Sequence, residues 1–330
     1  MLKFLEDILL FDSTSGHENE LVKFIFEKYK VNDCDIEIQK TSNGRKNLFY
    51  KKGNPKIIFC SHLDTVPPYI PPKISADIIK GRGSCDAKGQ VAYLFALFQR
   101  LIAEGETDIG MLMVSGEEDG SWGAIAANKL ITDSDFIIIG EPTENKLVSA
   151  SKGNVCYRFE IFGKSCHSGY PELGVSAISL FNEFINKLNS YSFPVDTLLG
   201  KTTYNIGKLK SDNAHNVLSE NLTFNIFFRT TFASFDLIDK CLKEIKNDYI
   251  NYEKLYFDDP IKFYTVDGFD TMTVAYGTDA PSFTNIKNKI LYGPGSIHTA
   301  HTENEHIIIS DLYKAIEDAY IIYKKIKYHI

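Results

Sequence analysis

A chain of 330 residues is long for one compact domain and comfortable for two. With 44% apolar and 24% charged residues its composition is that of an ordinary globular protein, which excludes intrinsic disorder. The 36 basic and 43 acidic residues leave a net charge of -7, which argues against a nucleic-acid partner because no basic footprint is left over.

The N-terminal "MLKFLEDILLFD" carries acids inside its apolar stretch and lacks a small-residue cleavage site, so it reads as a helix rather than a signal peptide. A second helix follows, with Val22, Ile25, Phe26 and Tyr29 on one stripe and Ser15 with Glu18 spaced as a capping box. After a hairpin-like stretch, "KIIFC" reads as a buried strand, "KGQVAYLFALFQRLIAEG" as a helix ended by glycine, and "IGMLMV" as a second buried strand. "WGAIAANKLI" is a short helix and "FIIIG" a third strand, and this alternation predicts a mostly parallel α/β sheet with helices on both faces. Near Ser151 the texture changes to alternating strands and two amphipathic helices in β-α-β-β-α-β order, the pattern of a ferredoxin-like α+β unit. From about Phe269 the α/β texture returns, with strand "KILYG" and a final helix "SDLYKAIEDAYIIYKKI". The expected organisation is a catalytic domain over residues 1–152 and 265–330, with a domain inserted at 153–264. Runs such as "VAYLFALF" fall short of the ~20 residues of a membrane span. The six cysteines show no CxxC spacing and suit reduced thiols, so a cytoplasmic location is expected.

Each apolar strand of the larger domain leads to a metal-binding residue type. "KIIFC" delivers His62, "IGMLMV" delivers the adjacent Glu117 and Glu118, and "FIIIG" delivers Glu141. "KILYG" leads through "GPGSI" to His298, His301 and His306, among which strand position alone makes no choice. In an open α/β sheet, ligand sites form outside the carboxyl ends of the strands. "GRGSCDAKG" adds Asp86 on a glycine-rich turn, and its lack of a GK[ST] ending sets it apart from a phosphate loop. Singly, these residues have ordinary explanations: a satisfied buried histidine, solvent-facing glutamates, a helix cap at Asp86. Together, two histidines and three carboxylates suit a pair of zinc ions with one carboxylate bridging. Asp64, two residues after His62, is placed to accept the other ring N–H of that histidine.

The segments "SHLDTVP", "GRGSCDAKG", "SGEEDGSWGA", "IIGEPTENKL", "CHSGYPELGVSAI", "GTDAPSF" and "GPGSIHTAHTENEH" span nearly the whole chain. In that order they resemble the dizinc amidohydrolase and exopeptidase family of acetylornithine deacetylase, succinyl-diaminopimelate desuccinylase, aminoacylase and glutamate carboxypeptidase. The acetylornithine and acetyl-lysine deacetylase branch is the most similar. The resemblance implies His62 and Glu141 on one zinc, Glu118 and His301 on the other, and Asp86 bridging them through a cis Asp86–Ala87 peptide, with Co2+ as a possible substitute metal. It selects His301 over His298 because "AHTENE" carries the family's alanine before the histidine and its Asn304-Glu305 pair after it. It implies Glu117 as general base, Asp64 as the group orienting His62, and the inserted domain as a lid and homodimerisation domain. It further implies that His167 steadies an oxyanion, in the family from the partner subunit, and that Asn216, Arg229, Gly295 and Ser296 bind substrate. Around Arg229 the sequence departs from the family, lacking its usual proline after the Asn-Val run and its aspartate two before the arginine.

The implied activity is hydrolysis of the amide of an N-acyl amino acid, first of all N-acetylornithine, in arginine biosynthesis. Desuccinylation, or dipeptidase or carboxypeptidase action by the same mechanism, is the alternative. A catalytically silent metal-binding protein is a third reading, and the presence of Glu117 beside a full ligand set counts against it.

Overall fold

The computed structural model describes residues 1–328. The chain divides into two compact units, one made of Met1–Ser149, Phe263–Met272 and the segment from Thr278 onward, the other of Ala150–Lys262 and Thr273–Gly277. In chain order the strands of the two larger sheets are β1 (Asp35–Lys40), β2 (Lys46–Lys52), β3 (Ile57–His62), β4 (Ile109–Val114), β5 (Phe136–Ile139), β6 (Gly153–Phe162), β7 (Thr203–Lys210), β8 (Asn221–Thr230), β9 (Ile250–Asp258) and β10 (Asn288–Leu291). The helices are α1 (Leu2–Leu9), α2 (Asn19–Lys28), α3 (Lys88–Ala103), α4 (Trp122–Ala127), α5 (Ala177–Ser190), α6 (Ile238–Ile245) and α7 (Ile309–Lys327).

The first unit is built on a six-stranded sheet in the order β1-β2-β4-β3-β5-β10. The four strands from β4 to β10 run parallel, and the β1–β2 hairpin adds an antiparallel edge. Both faces of the parallel strands are covered. Ile57 and Phe59 share a core with α1, α2, α3 and α7, while Ile58 and Cys60, turned to the other face by the period of two, are equally buried. That double burial is why these strands are continuously apolar. The edge strand β1 instead exposes Asp35 and Lys40, charges that discourage a further strand from pairing. Among the described residues no helix is long and apolar enough to cross a membrane.

The second unit pairs its strands antiparallel in the order β7-β8-β6-β9, the 4-1-3-2 order, read from its other edge, of a ferredoxin-like βαββαβ unit. On β8, Leu222, Phe224, Ile226 and Phe228 are buried against α5 and α6, and the residues between them are less so. Phe159 and Phe224 stack at 4.8 Å in the middle of this core.

One local expectation is overturned. Ser15 and Glu18 do not form a capping box: α2 begins at Asn19 with no side-chain cap bond. The Ser15 hydroxyl donates instead to Asp64 Oδ2 at 2.8 Å, and Glu18 Oε1 accepts from the Gly16 N–H at 3.0 Å. A buried carboxylate offers the serine a charge-assisted bond, stronger than the neutral one at a helix end.

The exit of α3 is tied to α7 by Glu106, which accepts from Tyr323 Oη at 2.8 Å, from Lys324 Nζ at 2.7 Å and from Lys327. Partial burial opposes its charge, but the two lysines and the tyrosine prevail and pull its pKa down to about 2. The folded value lies below the unfolded one, so the stabilisation is complete above pH ~4.5 and is lost as pH falls towards 2. Glu106→Gln is therefore expected to cost about 1–2 kcal/mol at neutral pH. The gap from wild type should narrow as urea midpoints are followed from about pH 6 to pH 3. A gap that stays constant with pH would remove the charge of Glu106 from the account.

Candidate metal centre

Because β4, β3, β5 and β10 are parallel neighbours, their carboxyl ends open at one edge of the sheet. His62 is the last residue of β3, Glu117 and Glu118 follow the end of β4 at Val114, and Glu141 follows the end of β5 at Ile139. Asp86 comes from the turn before α3, where Gly89 lets the helix pack against its own entry: a Cβ there would lie 2.2 Å from Ser84 O. The Asp86–Ala87 peptide is cis. His301 arrives on the loop after β10 in a left-handed conformation, φ 63°.

These side chains converge. Asp86 Oδ1 lies 3.0 Å from His62 Nε2, and its other oxygen, Oδ2, lies 3.3 Å from His301 Nε2. Glu141 Oε1 is 3.9 Å from His62 Nε2, and Glu118 Oε1 is 2.9 Å from His301 Nε2. His62, Asp86 and Glu141 form one three-residue group of donor atoms within 4.8 Å of one another, and Asp86, Glu118 and His301 form another. His62, Glu117 and Glu118 make a third such group, so Glu117 also stands within reach. His298 and His306 join none of the groups found among the described residues.

The electrostatics follow from crowding acids out of water. Burial pushes the Glu117 carboxyl well above the usual range, and the nearby Glu141, Asp279 and Glu118 push it the same way. Glu141 is raised well above its ordinary value by burial and then by Asp86, and Glu118 is raised by burial. Burial also opposes a charged His62, yet Asp64, Asp86, Glu117 and Glu141 outweigh it and hold its pKa well above the ordinary value. His301 is raised to about 10 by its bonds to Asp86 and Glu118. So concentrated a negative field favours cations.

Asp64 meets His62 with its backbone and its side chain. His62 Nδ1 lies 2.9 Å from the main-chain carbonyl of Asp64 and 3.5 Å from its Oδ1. A carbonyl only accepts, so Nδ1 carries a hydrogen, and Nε2 is turned towards Asp86. The Asp64 carboxylate also serves the next strand end. Oδ1 accepts from the N–H groups of Gly116 at 2.8 Å and Glu117 at 3.0 Å, and Oδ2 from Glu118 at 3.1 Å. One aspartate thus faces the histidine and holds the backbone of the two glutamates at once.

A model of "Peptidase family M20/M25/M40" matches residues 58–320, which include every residue of the three donor groups. The chain belongs to this family. A peptidase M20 domain-containing protein of Schizosaccharomyces pombe is 37% identical over 337 residues, covering 96% of this chain and 82% of that protein. A protein of Aspergillus clavatus named a probable carboxypeptidase is 32% identical over 366 residues, covering 98% and 88%. The fold is that of aminopeptidase PepT from Bacillus cereus, with a TM-score of 0.79 at 22% identity, covering 97% of this chain and 96% of that one. This M20 chain is accordingly a hydrolase of amide bonds, of the metallopeptidase kind.

Two parts of this M20 site escaped the sequence reading. Arg45 grips Asp119 with both nitrogens, at 2.6 and 2.5 Å, and reaches Glu18 at 3.4 Å, lying so close over Gly116 that a Cβ there would meet it at 2.2 Å. Glu305, noted only as part of "AHTENE", is fully buried against Arg82 and the Asp86 turn. Gly295 and Ser296 lie against the loop after β5: Gly295 O accepts from the Glu144 N–H at 2.8 Å, and the Ser296 hydroxyl donates to Glu144 Oε1 at 3.0 Å. They line a cavity of about 400 Å³ shared with Lys146 and Lys314, which none of the donor-group residues lines.

In the second unit, His167 bridges Val217, and the Ser168 N–H donates to Asn216 O at 2.9 Å, so these two predicted residues sit side by side. Both precede β8, whereas Arg229 stands near that strand's far end with its guanidinium over the Phe227 ring at 4.6 Å. A ten-residue strand separates the two places by roughly 30 Å.

Proposed function

We propose that this chain uses two divalent metal ions to hydrolyse the amide bond of an N-acyl amino acid, releasing a carboxylate and a free amino acid. The observation that carries the reading is the Asp86 carboxylate, whose two oxygens face two different histidines and so belong to two donor groups at once. His62 and Glu141 would hold one ion and Glu118 and His301 the other, with Asp86 common to both. Nitrogen and oxygen donors in this number suit zinc, with cobalt as a substitute. Bound there, such ions supply Lewis-acid polarisation of an acyl oxygen and a water that ionises near neutral pH.

The protein's own groups do the rest. Glu117 takes a proton from the attacking water and delivers it to the leaving nitrogen as the C–N bond breaks. His167 steadies the oxygen on which negative charge develops. Arg229, Asn216, Gly295 and Ser296 take the carboxylate end of the substrate. The ~30 Å between His167 and Arg229 along one strand supports a homodimer through the inserted domain, each chain lending His167 to its partner's site.

N-acetylornithine is the first substrate to try, which would place the chain in cytoplasmic arginine biosynthesis. The Aspergillus relative's name supports a second reading, removal of a C-terminal residue from a short peptide. Zinc- or cobalt-loaded protein assayed on N-acetyl amino acids, N-succinyl-diaminopimelate, dipeptides and tripeptides decides between them. We expect kcat/KM for N-acetylornithine to lead the peptides by about tenfold or more, the scale on which pocket contacts discriminate. A lead for peptides selects the carboxypeptidase reading. No turnover of any amide sinks both.

A further inference from the structure

We propose that Glu305, backed by Arg82, is the positioning residue that sets Asp86 between the two histidines, an inference that rests on the two-metal reading above. Glu305 is 1% exposed, and its carboxylate meets four donors. Oε1 accepts from the N–H groups of Gly83 at 2.9 Å, Cys85 at 3.2 Å and Asp86 at 3.1 Å, and Oε2 accepts from Arg82 Nη1 at 2.5 Å. Three amides can aim at one oxygen because Gly83 takes a left-handed conformation, φ 85°, which curls the turn into a concave nest. The main chain adds a fifth link, Gly81 N–H to Glu305 O at 3.0 Å. The turn that carries Asp86 is therefore wrapped around a side chain from the loop that carries His301.

Arg82, 2% exposed, completes the staple. Its Nη1 also donates to the carbonyl of Thr302, next to His301, at 3.2 Å, and its Nε donates to the carbonyl of Pro68 at 3.3 Å, on the segment that follows Asp64. One buried ion pair thus joins the segments bearing Asp64, Asp86 and His301. Such a pair adds little net stability, because stripping water from both charges offsets their attraction. Its effect is positional: a shared carboxylate serves two ions only if held to within about 0.5 Å. Glutamine at this position has the right size but the wrong donors. If its oxygen serves the nest, its NH2 faces the Arg82 guanidinium, donor against donor.

The test is zinc affinity, by chelator competition, and the visible absorption of cobalt-loaded protein, for wild type, Glu305→Gln and Arg82→Lys. Glu305→Gln is expected to fold, to bind the weaker zinc ~10–100-fold less tightly and to lose kcat at limiting zinc by a similar factor. Excess zinc should restore kcat, with KM within about twofold throughout. A merely structural role lowers the melting temperature and leaves the zinc affinity of folded protein and the cobalt spectrum unchanged, which overturns the proposal. If Glu305→Gln does not fold, Arg82→Lys decides: it keeps a cation against Oε2 but loses the fork that spans Thr302 and Pro68. About tenfold weaker zinc binding is expected of it, and wild-type affinity overturns the proposal. Wild-type protein that binds neither zinc nor cobalt instead refutes the two-metal reading itself.

Discussion

Glu117→Gln is expected to lower kcat by ~10³–10⁴-fold while metal content and melting temperature stay close to wild type. The geometry makes this a demanding expectation. Glu117 Oε2 stands 4.0 Å from His62 Nε2, and the residue belongs to a donor group of its own with His62 and Glu118. As a ligand it would lose metal on substitution; as a base it would lose only rate. Its backbone N–H is pinned to Asp64 Oδ1 at 3.0 Å, so a glutamine should occupy the same place without the ability to take a proton. Elemental analysis beside steady-state kinetics separates the outcomes. Metal loss would make Glu117 a ligand and leave the base to be found elsewhere.

Asp86→Ala should fail in the opposite way. Asp86 is the one residue that the His62–Glu141 group shares with the Glu118–His301 group, so its removal is expected to weaken both proposed ion sites together. Activity should fall by ~10³-fold or more and not recover with added zinc, and metal retained through gel filtration should drop to a small fraction of wild type. His301→Ala touches one group only and should retain the other ion. Asp86→Ala that still carries two ions per chain would end the case for a shared carboxylate.

Much of this is legible in the sequence. The runs "KIIFC", "IGMLMV", "FIIIG" and "KILYG" could be read as strands because both faces of a parallel sheet are buried, which makes the sequence apolar without interruption. Residues just past such runs fall at one sheet edge, so His62, Glu118 and Glu141 announced a common site. The alternation of "LTFNIFFRTT" likewise announced a sheet with one core-facing side. The capping box at Ser15 and Glu18 failed for a reason outside its own segment: Asp64, 49 positions away, took the serine. The Asp64 carboxylate, beside His62 in the sequence, also bonds amides 52 to 54 positions on, which its own segment does not encode. Arg45 with Asp119, and Arg82 with Glu305, are pairs 74 and 223 positions apart, and no local periodicity encodes either.

The sequence by itself determined the fold class and the stock of candidate donors, because hydrophobic periodicity and strand-end position are properties of short stretches. The tertiary structure alone decided that Asp64 holds the glutamate turn and that Glu305 carries the Asp86 turn. Those choices depend on which donor lies within about 3 Å of a buried acceptor once the loops have closed, a matter of distance that chain position does not record.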